Sequence, residues 1–190
     1  MDINWRATIV QSLCHSRLAA LGLALAVAIQ PACAQTSPED QARLAEKLKV
    51  LDLFRGTWNV TIKNVLQPEK PVVTSVHRNA WVLGNRYLQG DSGVKSDGTH
   101  DLSMMTYDPT TGAYPLWIFF STGVVFSLPS GEWNEAKRTM VWKSPPNLLG
   151  SYEYSCVLPD DRTHRCQSIA KNWLGKVLLE QEVVAVRRGP

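Results

Sequence analysis

The sequence predicts an all-β fold: an up-and-down antiparallel β-barrel of about ten strands with one N-terminal helix. Three observations lead there. Directly after an amphipathic stretch, Trp58, Val60 and Ile62 alternate with Thr57, Asn59, Thr61 and Lys63, the two-residue period of a half-buried strand. From Trp58 onward no second helical pattern occurs; short runs rich in Val, Tyr, Trp and Thr alternate with turn clusters such as Gln67-Pro68-Glu69, Ser96-Asp97-Gly98 and Pro159-Asp160-Asp161. The last strand-like run, Val177 to Val186, ends in Arg187 and Arg188, so a sheet closing on itself brings a guanidinium onto Trp58, where cation–π stacking is favourable.

Residues 1–34 have the pattern of an export signal. Arg6 and Arg17 precede the apolar run Leu18 to Ile29, and Ala32-Cys33-Ala34 supplies small residues for cleavage near Ala34, so the mature chain is expected to begin at Gln35 in the periplasm or outside the cell. Twelve apolar residues fall short of the roughly 20 that span a bilayer, so no membrane span is expected after cleavage. Acylation of Cys33 is the alternative, opposed by Gln30 and Pro31 where lipoprotein signals carry apolar and small residues. The remaining 156 residues make one domain, divided here into a helix at 35–55 and a barrel at 56–190. Without Arg6, Arg17 and Asp2 the chain holds 18 basic and 16 acidic residues in no long basic run, which argues against a nucleic-acid partner; a homodimer remains an open assembly.

In the helix, Ser37 is the expected cap, Pro38 the first helical residue, and Glu39 and Asp40 face the positive end of the macrodipole. Leu44, Leu48, Leu51 and Phe54 form its apolar face, which would cover either an open end of the barrel or its outer wall. A strand is expected to begin at Gly56. Near the other end, Ser151 to Leu158 and His164 to Lys171 flank a turn near Asp161, which sets Cys156 opposite Cys166; they are the one cysteine pair left after signal removal, and a disulfide is expected. No metal site follows from their spacing.

Once Gly56-Thr57-Trp58 after a short helix is joined to Arg187 or Arg188 at the last strand, the chain resembles the lipocalin and wider calycin superfamily. With Arg78, the run Trp81 to Leu88, Met105-Thr106-Tyr107-Asp108 and Gly112-Ala113-Tyr114, it resembles more closely a bacterial family numbered 1579 among domains of unknown function, over about residues 50 to 188. The resemblance implies a calycin-like barrel, usually exported, with no agreed activity or ligand. Nitrobindin-type barrels are neighbours that bind haem through a late histidine. His77 lies within a strand, His100 at a strand start, and His164 at a hairpin tip that is commonly solvent-exposed, so no cofactor is expected and haem is the alternative.

Candidate chemistry centres on Arg78 and Arg86. Arg78 shares a strand face with Val72, Val76, Ala80 and Val82, and Arg86 shares one with Leu88, so both are candidates to point inward. An inward arginine needs an anion: a ligand carboxylate or phosphate, or an internal partner among Asp91, Asp101 and Glu153, the commoner use. Trp81, Trp117 and Tyr107 are read as the aromatic part of a ligand wall, although aromatic residues more often fill a core. Gly90-Asp91-Ser92-Gly93 imitates a serine-protease nucleophile loop but lacks the upstream partners, and is read as a loop. The expected function is binding or carriage of a small apolar or amphipathic molecule, with an anionic head as one option. An isomerase or lyase using Asp91, Asp101, Tyr107 or His77 is the rival reading, and the ligand itself is not named by the sequence.

Overall fold

A computed structural model describes residues 37–145 and 150–189. The signal-like segment, with Cys14 and Cys33, lies outside the described residues. Helix α1 spans Pro38–Asp52; the Ser37 side chain accepts the Asp40 N–H at 3.0 Å, satisfying a donor that a helix start leaves unpaired. Leu48 and Leu51 on its apolar face, with Phe54 just beyond, pack against Leu88, Met105, Leu116, Leu128, Met140 and Trp142. Those partners face the interior of the sheet, so the helix plugs one end of the barrel rather than lying along its wall.

Eleven strands follow: β1 (Gly56–Asn64), β2 (Val73–Val82), β3 (Tyr87–Asp91), β4 (Asp101–Met105), β5 (Leu116–Phe120), β6 (Val125–Leu128), β7 (Ser130–Asn134), β8 (Thr139–Lys143), β9 (Ser151–Asp160), β10 (Thr163–Lys171) and β11 (Val177–Arg187). They form one antiparallel sheet in the order β6-β5-β4-β3-β2-β1-β11-β10-β9-β8-β7. Pro129 alone separates β6, which pairs with β5, from β7, which pairs with β8. The two are halves of one strand bent at a proline, which cannot donate to a ladder. Counted that way the barrel has ten strands. The seam is drawn together by the Tyr114 N–H donating to the Gly131 carbonyl at 2.9 Å, and only glycine fits there, since a Cβ at 131 would lie 2.0 Å from the Tyr114 carbonyl oxygen. Closure leaves few unpaired edge groups exposed.

The opposite seam joins first and last strands. Trp58 stands in register with Arg187, whose guanidinium carbon lies 4.3 Å from the indole centroid. The fork also donates to three carbonyls: Arg55 at 2.8 Å, Asp161 at 3.0 Å and Leu53 at 3.3 Å. Trp58 donates its indole N–H to the Phe54 carbonyl at 2.9 Å. Gly56 has φ +121°, and a Cβ there would sit 2.6 Å from Arg187 Nη1, so glycine is required twice over, by backbone and by space. Cys156 and Cys166 face one another across β9 and β10 and form a disulfide with an S–S distance of 2.09 Å.

Candidate functional site

The barrel wall is amphipathic in the expected two-residue period, and the inward set is fixed by register from Trp58. Trp58 pairs with His77, Val60 with Ser75 and Ile62 with Val73, so the odd-numbered residues of β2 face inward. Continuing round, Gly90, Ser103, Ile118, Tyr154, Ser168 and Val183 line a cavity of about 480 Å³, within the range of about 300 to 1,000 Å³ usual for small-molecule sites.

The cavity is graded along the barrel axis. Its floor, at the helix-plugged end, is Phe54, Trp58, Trp142 and His164. The His164 ring lies 3.9 Å from that of Trp58 and 4.9 Å from that of Phe54, and its Nε2–H donates to the Leu53 carbonyl at 3.2 Å. Burial pushes its pKa down to about 4, with the nearby Arg187 charge acting in the same direction, so it is neutral at pH 7. Above the floor come Val60, Met105, Leu116, Ile118 and Val183, with Tyr154 stacked on Trp142 at 5.6 Å and its hydroxyl pKa raised by burial.

The other end carries polar groups. Lys95 lies in the β3–β4 loop, whose tight turn is held by its own N–H donating to the Thr99 carbonyl at 2.8 Å. This turns the side chain inward, where only 9% of it is exposed and its ammonium pairs with the Asp101 carboxylate. Asp97 also lines this mouth; Thr99 donates to it from hydroxyl and backbone, holding its carboxyl below the usual range. His77, half-buried, is pushed down to about 4 by burial first and by the Lys95 charge second. Its Nε2, Ser75 Oγ and Asp101 Oδ1 are shut away from solvent without a hydrogen-bond partner. Across the lumen the Ser168 hydroxyl donates to Gln181 Oε1 at 3.2 Å.

None of the five residues expected to contact ligand lines this lumen. Arg78 is exposed on the outer wall, in register with Thr57 and Asp91. The apolar-looking face that it shares with Val72, Val76, Ala80 and Val82 is the outside of the barrel, because the inner face of β2 is the mixed set that borders the cavity. Arg86 is exposed in the turn after β2, where its N–H donates to the Val82 carbonyl at 3.2 Å, and it does not share the inward face of Leu88. Trp81 faces inward only at the plugged end, donating to Asp52 Oδ1 at 2.9 Å and so holding α1 down. Arg86, Tyr107 and Trp117 instead border a second, open pocket of about 510 Å³ outside the barrel, with Leu44 and Leu48 of α1.

Other expectations are corrected as well. His164 is buried on β10, not exposed at a hairpin tip, because the turn needs only Asp161 and Arg162. Gly90 and Asp91 belong to β3 rather than a loop, and Ser92 is buried. Of the residues named for acid–base chemistry, Asp101 and His77 reach the lumen; Tyr107 lies outside it, and Asp91 pairs with His100 at 2.8 Å where both side chains are about 40% exposed. Among the described residues no cluster of three or more His, Cys, Asp or Glu could hold a metal ion, and no helix is long and apolar enough to cross a membrane. The sequence reading missed Lys95, Ser103 and Gln181.

The model of the family described as "Protein of unknown function (DUF1579)" matches residues 44–154. No curated protein matches the sequence. Among solved structures, a redesigned β-barrel superposes with a TM-score of 0.39 and 12% identity, covering 74% of this chain and 96% of its own. The S-type phycobiliprotein lyase CPES from Guillardia theta gives 0.41 and 13%, covering 75% and 92%. The designed barrel EF1p2_mFAP2b bound to DFHBI gives 0.41 and 11%, covering 74% and 98%.

Proposed function

We propose that this chain, which belongs to the family of proteins of unknown function DUF1579, is an exported carrier that binds a small amphipathic molecule inside its barrel. The observation that carries this reading is the lumen of about 480 Å³, plugged by α1 and Trp58 at one end and graded from apolar floor to polar mouth. Burying an apolar ligand against Ile118, Met105 and Val183 is favourable by about 25 cal/mol per Å² removed from water, while the mouth keeps hydrogen-bonding groups for a head. Export is supported by the Arg6/Arg17 and Leu18 to Ile29 pattern and by the Cys156–Cys166 bridge, which persists in an oxidising compartment.

Native mass spectrometry of protein purified from its own host tests the carrier reading. A small-molecule adduct is expected, lost in Ile118→Trp, which fills the lumen with an indole while keeping the wall apolar. Absence of any adduct, together with failure to bind an apolar fluorescent dye, refutes it. N-terminal sequencing of the same material should begin at Gln35; a chain that retains residues before it refutes the export signal.

A further inference from the structure

We infer that the lumen selects a ligand whose polar head is uncharged, a hydroxyl or amide, over one ending in a carboxylate. This deepens the carrier reading and rests on it.

Charge sets the selection. A carboxylate taken into a barrel leaves water and needs a cation or several donors in return. Among the described residues, the cations on or near the lumen are already engaged, and the candidate arginines are outside it. Arg78 and Arg86 are exposed on the exterior. Arg187 is spent beneath the floor, on Trp58 and three carbonyls. Lys95, the one lysine or arginine among the residues lining the cavity, is matched by Asp101, and Asp97 adds a second carboxylate at the same mouth. The lining histidines, half-buried His77 and buried His164, are pushed down to about 4 and so supply no positive charge at pH 7. The lining thus carries one cation against two carboxylates, which repels an anion. A cationic head meets no such repulsion, since Asp97 and the unpartnered Asp101 Oδ1 stand at the same mouth, so the discrimination is against anions.

What the lining does offer is neutral hydrogen-bonding capacity. Ser103 projects from β4 opposite Gly90, where a Cβ would lie 2.4 Å from its Oγ, so a glycine makes room for the hydroxyl. Gln181 receives Ser168 on its carbonyl oxygen and keeps its amide N–H groups free to donate. Ser75 and His77 stand two residues apart on the same face, with a hydroxyl and a ring nitrogen unpartnered. A hydroxyl head both donates and accepts and suits this mixture; a carboxylate head would have to break the Lys95–Asp101 pair to reach a cation.

The test uses residues 35–190 with a neutral apolar dye, N-phenyl-1-naphthylamine, displaced by two ligands of equal chain length, 1-dodecanol and dodecanoate, at pH 7.5. Dodecanol should displace the dye at a concentration at least tenfold lower than dodecanoate. Asp101→Asn frees Lys95 and should improve dodecanoate at least tenfold. The double variant Lys95→Met/Asp101→Leu removes the pair together and should still fold, keep dodecanol binding and leave dodecanoate weak. Dodecanoate matching dodecanol in the wild-type protein overturns the inference and leaves the carrier reading standing. Failure of the dye and both ligands to bind overturns both.

Discussion

Removing the Arg187 guanidinium should open the floor of the barrel, and the size of the effect follows from its contacts. The fork donates to the carbonyls of Leu53, Arg55 and Asp161 and covers the Trp58 ring, tying together the end of α1, the start of β1 and the β9–β10 turn. Each hydrogen bond contributes about 1 kcal/mol net and the ring contact about another 1 kcal/mol. Because two of the hydrogen bonds are exposed to solvent, the expected loss for Arg187→Met is about 3 kcal/mol rather than the full sum. In a domain of this size that lowers Tm by about 6–12 °C. Arg187→Lys keeps the charge but not the planar fork and should recover less than half of the loss. Urea unfolding followed by tryptophan fluorescence and by far-ultraviolet circular dichroism gives the numbers, with an unchanged m-value marking a two-state comparison. A loss below about 1 kcal/mol, or full recovery by lysine, would show that the seam is held by strand pairing alone and that the fork is incidental.

Three further outcomes are expected. Gly131→Ala should cost about 2–4 kcal/mol in urea unfolding, because the new methyl would meet the Tyr114 carbonyl at 2.0 Å and part the β5–β7 seam; a neutral result would remove that seam from the account. Reducing the Cys156–Cys166 bridge, whose cysteines are 10 residues apart, should cost about 2.5–3 kcal/mol, and thiol titration of unfolded, unreduced residues 35–190 should find no free thiol. Both luminal histidines have folded pKa values of about 4 against an ordinary 6.5, so the unfolded chain takes up more protons between those pH values. Stability should therefore be fully present above pH 6.5 and fall as pH drops toward 4, by up to about 3 kcal/mol for each histidine. His164→Phe together with His77→Gln should flatten urea midpoints between pH 7 and 4.5, and a persisting slope would place the titration elsewhere.

What the sequence made legible, and what it hid, divides along a physical line. The helix, the hairpin with its disulfide and the closed β-architecture rest on local signals: the Ser37-Pro38 helix start, the strand start at Gly56, the turn residues, and cysteines placed symmetrically about Asp161. Which face of a strand looks inward is a different kind of fact. The side-chain period is two, so a one-residue slip exchanges the faces, and the eight-residue connection between β1 and β2 does not fix which residue stands opposite Trp58. Reading β2 for its more apolar face put Arg78 inside, whereas the register Trp58 to His77 puts Ser75, His77 and Asn79 there.

That inversion bears on function. In a barrel packed solid, the inner face of β2 would be the apolar one, and the simple alternation rule would have succeeded. Here Val72 is 44% exposed on the outside, while serines, histidine and glutamine border the interior. Each buried polar group costs stability unless it is hydrogen-bonded, yet Ser75 and His77 on β2 and Asp101 on β4 have side-chain atoms buried without partners. A wall built against the stability rule, around the hollow of the barrel, is the arrangement expected where selection acts on what the lumen holds rather than on how tightly it packs. The same logic locates Lys95: a lysine inside a barrel is tolerable only beside a carboxylate such as Asp101, and the pair leaves no free cation at the mouth to offer an anionic ligand.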